Sequence, residues 1–101
     1  MERVFNILIG LNDKTMVKSF NKDDVLSTTA DKLLSIGIKG FNVSELVGFW
    51  EGKKELSLKF SFINTFNIDD KILIKAIEEL REAFNQDSIL LEKGFTDFAF
   101  I

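Results

Sequence analysis

The chain has 101 residues, a formal net charge of −3 and a pI near 4.9, and it contains neither histidine nor cysteine. These absences exclude zinc sites built from Cys and His, a Ser-His-Asp triad, a cysteine nucleophile and any disulfide. The acidic balance argues against binding to a nucleic-acid backbone, and no resident cofactor or metal is expected.

The length of the chain and its apolar content limit the architectures that it can adopt. Residues 1–101 are expected to form one domain whose core is large enough to fold without a covalent cross-link. Hydrophobic residues make up 46% of the chain and eleven residues are Phe, so part of the apolar surface is expected to face another copy of the chain. Only nine residues lie between Arg3 and Asp13, too few for a signal peptide or a spanning helix, so a cytoplasmic location without membrane association is expected.

The first predicted strand covers Arg3–Asn12, where the odd-numbered positions are more apolar than the even-numbered ones. A connection at 13–20 then leads into a helix predicted over 21–37. Asn21 suits the N-cap of this helix, and Gly37 suits the left-handed position that ends it.

The stretch 40–63 is predicted to form two strands joined near Glu51–Lys54, with Gly52 in the turn. The second of these strands alternates an apolar face with Ser and Lys, and that apolar face is Leu56, Leu58, Phe60 and Phe62. A second helix is predicted over 67–86, with Asn67 as its N-cap. Its apolar stripe consists of Leu73, Ala76, Ile77, Leu80 and Phe84.

The last segments, 87–93 and 95–101, are predicted as short strands separated by Gly94. The element order predicts an α+β, ferredoxin-like βαββαβ fold, with an antiparallel sheet, two helices on one face and an extra C-terminal strand. Because the chain ends on an apolar run, that end is predicted to pack in an oligomer interface or against a sheet edge. The residues of this predicted interface are Phe98, Phe100 and Ile101.

Two further kinds of site are weighed and set aside. The aspartate pairs are Asp23 with Asp24 and Asp69 with Asp70; each stands where a helix dipole favours negative charge, so a structural role is expected rather than metal binding. Aromatic residues on the central strands could stack RNA bases in this fold, and they are Phe5, Phe60 and Phe62. The chain lacks the basic, glycine-containing pattern of that motif, so no nucleic-acid binding is expected.

The residues Phe49, Trp50, Glu51, Gly52, Lys53 and Glu55 resemble a segment of the copper-tolerance CutA family, which is related to the PII signalling family. The resemblance implies a homotrimer whose clefts between subunits bind small molecules, which are nucleotides in the PII case. The chain lacks the histidine and prolines typical of the second half of CutA proteins and the long nucleotide-binding loop of PII proteins, so metal binding is not implied. The stretch 84–93 also resembles the end of a group of small uncharacterised bacterial and phage proteins.

Trp50 is the central candidate for a ligand-binding residue. With Lys53, Lys54 and Glu55 it would form one wall of a cleft that accepts an aromatic base or an anionic group. The residues that would add neutral hydrogen bonds are Asn85, Gln86 and Ser88. The alternative is that Trp50 packs in a subunit interface and that the lysines are ordinary turn residues.

These patterns predict a non-enzymatic, oligomeric protein that binds a nucleotide-type small molecule, of the kind a phage could use to sequester a host defence signal. The alternative is an interaction protein that blocks another protein through an exposed strand or an apolar surface. An enzyme that uses only Asp, Glu, Lys and Ser is the third possibility.

Overall fold

The computed structural model describes residues 2–12 and 19–101, without the side chain of Trp50. The elements are β1 (Glu2–Gly10), α1 (Lys22–Ser35), β2 (Asn42–Trp50), β3 (Lys53–Ile63), α2 (Asp70–Ala83) and β4 (Leu90–Thr96). The strands form one antiparallel sheet in the order β2-β3-β1-β4. This confirms the predicted ferredoxin-like arrangement. The predicted connection at 13–20 lies mostly outside the described residues.

The core lies between one face of the sheet and the two helices. Alternation along β1 buries Phe5, Ile7 and Ile9, and Phe5 stacks on Phe62 of β3 with ring centroids 5.3 Å apart. The predicted stripe of α2 is buried along its whole length, from Leu73 to Phe84. Because Phe5, Phe60 and Phe62 belong to this core, they are not available to stack on a base.

The start and the end of α1 follow the predicted capping residues. The side chain of Asn21 accepts hydrogen bonds from the backbone N–H groups of Asp23 and Asp24, at 2.8 and 3.3 Å. Gly37 follows the helix with φ +95°, a left-handed conformation that glycine adopts without steric cost.

The predicted N-cap of α2 is wrong. Asp69 caps this helix, and its Oδ1 accepts a 2.7 Å hydrogen bond from the backbone N–H of Lys71. Asn67 has φ +57° and lies in the turn before the cap. That turn is held by Asn64, whose side chain bonds both the N–H and the C=O of Ile68, each at 3.1 Å, so the helix begins later than its sequence suggests.

The extra C-terminal strand is not formed. The two predicted strands are replaced by the single strand β4, which runs through Gly94 opposite Val4 of β1. Gly94 does not have the positive φ of a turn glycine, so the strand continues through it. Thr96 pairs with Glu2, and residues 97–101 follow β4 without forming another strand.

One residue of the predicted buried face of β3 is exposed. Leu58 is buried and lies opposite Glu45, which bonds Lys22 at the start of α1. Leu56 lies beyond this level toward the hairpin turn, where it is 46% exposed and its partner on β2, Val47, is 59% exposed. The hairpin therefore extends past the cover that the helices provide.

Candidate functional site at the end of the sheet

The strand β1 ends at Gly10, whose position faces away from the helices because the preceding Ile9 is buried beneath them. A Cβ atom placed on Gly10 would lie 3.3 Å from Oε1 of Gln86 and 4.0 Å from Oε1 of Glu55. Two polar side chains that are far apart in the chain thus approach one point. We call Gly10, Glu55 and Gln86 the Gly10 niche.

The carboxamide of Gln86 is oriented by backbone carbonyls. Its Nε2 donates a 2.6 Å hydrogen bond to the C=O of Asn12 and a 3.2 Å hydrogen bond to the C=O of Phe84. The opposite amide orientation would place its oxygen against these two carbonyl oxygens, which is unfavourable. Oε1 therefore faces the niche as a hydrogen-bond acceptor.

Glu55 lies on β3 near one glycine of each neighbouring strand. Its cross-strand neighbour on β2 is Gly48, and a Cβ atom on Gly48 would meet nothing within 4 Å. On the other side, Ser57 of β3 pairs with Gly10 of β1. Gly48 therefore leaves the β2 side of the half-buried Glu55 without a side chain.

The sequence-predicted site residues are distributed over more than one surface. Glu55 and Gln86 come together at the niche, and Lys53 is exposed on the same face of β3 as Glu55, nearer the turn. Lys54 is exposed on the opposite face, because side chains alternate along a strand. Trp50 pairs with Lys53 through the backbone, and its side chain lies outside the described atoms.

The remaining two predicted residues have other positions. Asn85 forms the exit of α2, with φ +48° and a backbone N–H that donates to the C=O of Glu82 at 3.1 Å. Ser88 lines a groove of about 360 Å³ between α2 and β4, separate from the niche. The other residues lining this groove are Ile74, Ile77, Glu78, Arg81, Asp87, Ile89 and Leu91.

Gly10 is the residue of the niche that sequence reasoning missed. Its signal in the sequence is weak: it is a glycine at the end of a strand rich in apolar residues, on the face that is turned away from the helices. The register of β1 against β3 is what brings Gly10 beside Glu55.

Two structural absences apply to residues 2–12 and 19–101. In this part of the chain, neither helix has the length and apolar character needed to cross a bilayer. Within the same residues, no three carboxylate side chains gather closely enough to hold a metal ion.

No family model and no curated protein matches the chain. A phage SAM lyase in the apo state is similar to it with a TM-score of 0.70 and 22% identity, over 92% of this chain and 79% of that chain. A phage SAM lyase in complex with S-methyl-5'-thioadenosine gives a TM-score of 0.62 and 22% identity, over 92% and 80%. A DUF3240 family protein from Shewanella baltica gives 0.61 and 10%, over 100% and 98%. At these identities the likeness shows a shared fold.

These similar structures bear on two expectations from the sequence: that the chain is not an enzyme, and that it resembles small bacterial and phage proteins. The expectation that the chain is not an enzyme is contradicted, because a phage SAM lyase, which is an enzyme, shares this fold. Phage and bacterial proteins of the same element order occur among the similar structures, in agreement with the resemblance of 84–93. The resemblance to CutA and PII remains an interpretation of the hairpin residues.

Proposed function

We propose that the chain binds an S-adenosyl compound at the Gly10 niche and cleaves S-adenosylmethionine (SAM) as a lyase. The observation that carries the proposal is the approach of Oε1 of Gln86 and Oε1 of Glu55 to the same point beside Gly10. The fold shared with a phage SAM lyase supports the choice of this class of ligand.

Hydrogen-bonding character favours this class over an anionic nucleotide. Both atoms that face the niche are acceptors, and one belongs to a carboxylate. SAM offers a positive charge, an α-ammonium group, ribose hydroxyls and the amino group of adenine, all of which complement acceptors. A nucleoside triphosphate would bring its negative charge toward Glu55 and be repelled.

The proposed reaction breaks the bond between the SAM sulfur and the four-carbon amino acid chain. The electron pair of that bond goes to sulfur, which loses its positive charge and leaves as the neutral thioether S-methyl-5'-thioadenosine. The electrophilic carbon of the four-carbon fragment is captured by the fragment's own carboxylate, which forms a lactone, or the neighbouring carbon gives a proton to water and an alkene forms. No external nucleophile or oxidant is consumed.

Glu55 is assigned to bind the ammonium group or the ribose hydroxyls, not the sulfur. A carboxylate beside the sulfonium would stabilise the charged substrate more than a transition state in which that charge is disappearing, and it would slow the reaction. A carboxylate that holds an unchanging group of the substrate positions it without this cost. In a phage, destruction of such a compound would serve an anti-defence role of the kind expected for sequestration.

The test is incubation of the purified protein with SAM, with S-methyl-5'-thioadenosine measured by mass spectrometry. SAM decomposes slowly without a catalyst, so Glu55→Gln and a buffer control are run in parallel. We expect release well above buffer for the wild type, and a KM raised about 10-fold or more in the variant with a smaller change in kcat. Binding is followed independently by the emission of Trp50, the only Trp in a chain without Tyr.

The outcomes separate the parts of the proposal. Saturable binding without turnover would remove the lyase step and leave the ligand class. Loss of about 1 to 3 kcal/mol of binding in a double Lys53→Ala, Lys54→Ala variant, with no loss in Glu55→Gln, would contradict the niche as the site, because it would indicate an anionic group held at the turn. Absence of both binding and turnover would overturn the proposal.

A further inference from the structure

The two edge strands of the sheet carry exposed apolar side chains. β2 and β4 lie at the edges, and neither has a strand on its outer side in the described part of the chain. Phe95 on β4 is 67% exposed, and Val47 and Phe49 on β2 are 59% and 72% exposed. Soluble proteins usually protect such edges with charges, prolines or short strands, so these edges favour an additional partner.

We propose that β4 of one copy pairs antiparallel with β2 of the next copy. One register places Lys93 opposite Glu45 of the partner subunit. In this register, on the face turned toward the helices, apolar side chains of β4 lie opposite apolar side chains of β2, and the one charged pair is of opposite sign. Leu91 then lies opposite Val47 of the partner subunit, and Phe95 lies opposite Val43 of the partner subunit. The pairing joins apolar to apolar on each side of one pair of opposite charges.

The central charges are part of longer arrays. Nζ of Lys93 donates to Oδ2 of Asp70 at 3.2 Å, and Lys22 bonds Glu45 at 2.5 Å. Pairing of the two edges would line up these four groups with alternating sign across the interface. Exposed ion pairs contribute little to affinity one by one, but an alternating row opposes any shift of register.

The same edges do not suit a symmetric pairing. If β4 met a second β4 with equivalent residues opposed, Lys93 would face a second Lys93, and two β2 strands would oppose Glu45 to Glu45 in the same way. Shifting either pairing by two residues keeps the same faces together but places the charged residue opposite an apolar one. A pairing of β4 with β2 is heterologous, and such contacts close into rings when the rotation allows it.

The test uses charge reversal and its compensation, with sedimentation velocity as the readout. Glu45→Lys alone and Lys93→Glu alone are each expected to weaken self-association by about 10- to 100-fold, because each opposes like charges. The double variant restores opposite charges in reversed order, and its association is expected within about threefold of the wild type. The matched control is the pair Lys71→Glu and Glu82→Lys, both on the exposed side of α2, expected to leave association unchanged.

Lys93→Glu places a negative charge near Asp70, so each variant is checked for native circular dichroism. If that variant does not fold, Phe95→Ser and Val47→Ser supply the same test through the apolar pairs. A wild-type protein that stays monomeric at micromolar concentration overturns the proposal. A double variant that remains as dissociated as the single ones also overturns it. Neither result bears on the proposed SAM chemistry, which is measured by turnover.

Discussion

Nη1 of Arg3 donates a 2.7 Å hydrogen bond to Oδ1 of Asp70, and Nη2 of Arg3 donates a 3.0 Å hydrogen bond to Oδ2. This bidentate pair joins the beginning of β1 to the first turn of α2, and Lys93 of β4 bonds the same carboxylate. The hydrogen bond from Arg3 holds the pKa of Asp70 below its ordinary value of 3.8.

Stability is expected to depend on this carboxylate in acid. Because the folded-state pKa lies below the unfolded one, ionised Asp70 stabilises the fold at neutral pH, and this contribution is lost as the pH falls below 3.8 through the folded-state pKa. Asp70→Asn should lower the Tm at pH 7, and its difference from the wild type should shrink in that acid range. Asp31→Asn, on the exposed side of α1, is the control. A Tm difference that is independent of pH would contradict the assignment.

Thr29→Val is expected to stabilise the protein. Thr29 is fully buried in α1, and its Oγ1 has no hydrogen-bond partner among the described residues. Replacing an unsatisfied hydroxyl by a methyl group of the same shape should raise the free energy of unfolding by about 1 kcal/mol, measured by urea denaturation. Thr28→Val is the matched control, because Thr28 is exposed on the same helix and should show no gain. Destabilisation by Thr29→Val would point to a polar contact of Oγ1.

Gly10→Ala is expected to reduce SAM binding and leave the fold intact. The new Cβ would lie 3.3 Å from Oε1 of Gln86, so it would occupy the niche and displace the carboxamide. We expect binding about 10-fold weaker by titration of the Trp emission, with a Tm close to that of the wild type. Gly40→Ala is the control, because Gly40 lies outside the niche and its Cβ would make only an ordinary contact, 3.9 Å from Cζ of Phe66. Equal losses in both variants would remove the special role of Gly10.

Removal of residues 98–101 is expected to weaken self-association. Phe100 is 89% exposed and its ring meets that of Phe98 with centroids 5.4 Å apart, so the tail presents an apolar surface that is not buried within the chain. If another copy covers it, the truncated protein should sediment at lower mass than the full chain at equal concentration. An unchanged mass together with higher solubility would show that the tail is not an interface.

Nucleic acid is expected not to bind tightly. The chain carries a net charge of −3, which gives little counterion release, and the aromatic side chains of the central strands are buried. Mobility shifts with single- and double-stranded DNA and RNA should show no complex at physiological salt. Salt-sensitive binding at submicromolar concentration would refute this expectation.

Local patterns in the sequence were enough for the βαββαβ element order, for most of the buried faces and for both ends of α1. The alternation of β1 and the stripe of α2 each depend on which residues recur at a fixed spacing, and the cap at Asn21 depends on backbone groups two and three residues away. The N-cap of α2 could not be predicted in this way: Asp69 takes this position instead of the predicted Asn67, because Asn64 holds the turn before the helix.

The Gly10 niche and the exposed edges of the sheet could be identified only from the tertiary structure. Glu55 and Gln86 were both candidates from the sequence, but their meeting at Gly10 depends on the register of β3 against β1 and on the backbone carbonyl of Asn12. The strand through Gly94 likewise depends on β1 offering it partners. The spacing of apolar residues in the sequence indicates which face of an element is apolar. The distance between two side chains on different elements is set only when the core has packed and every strand is fixed in register.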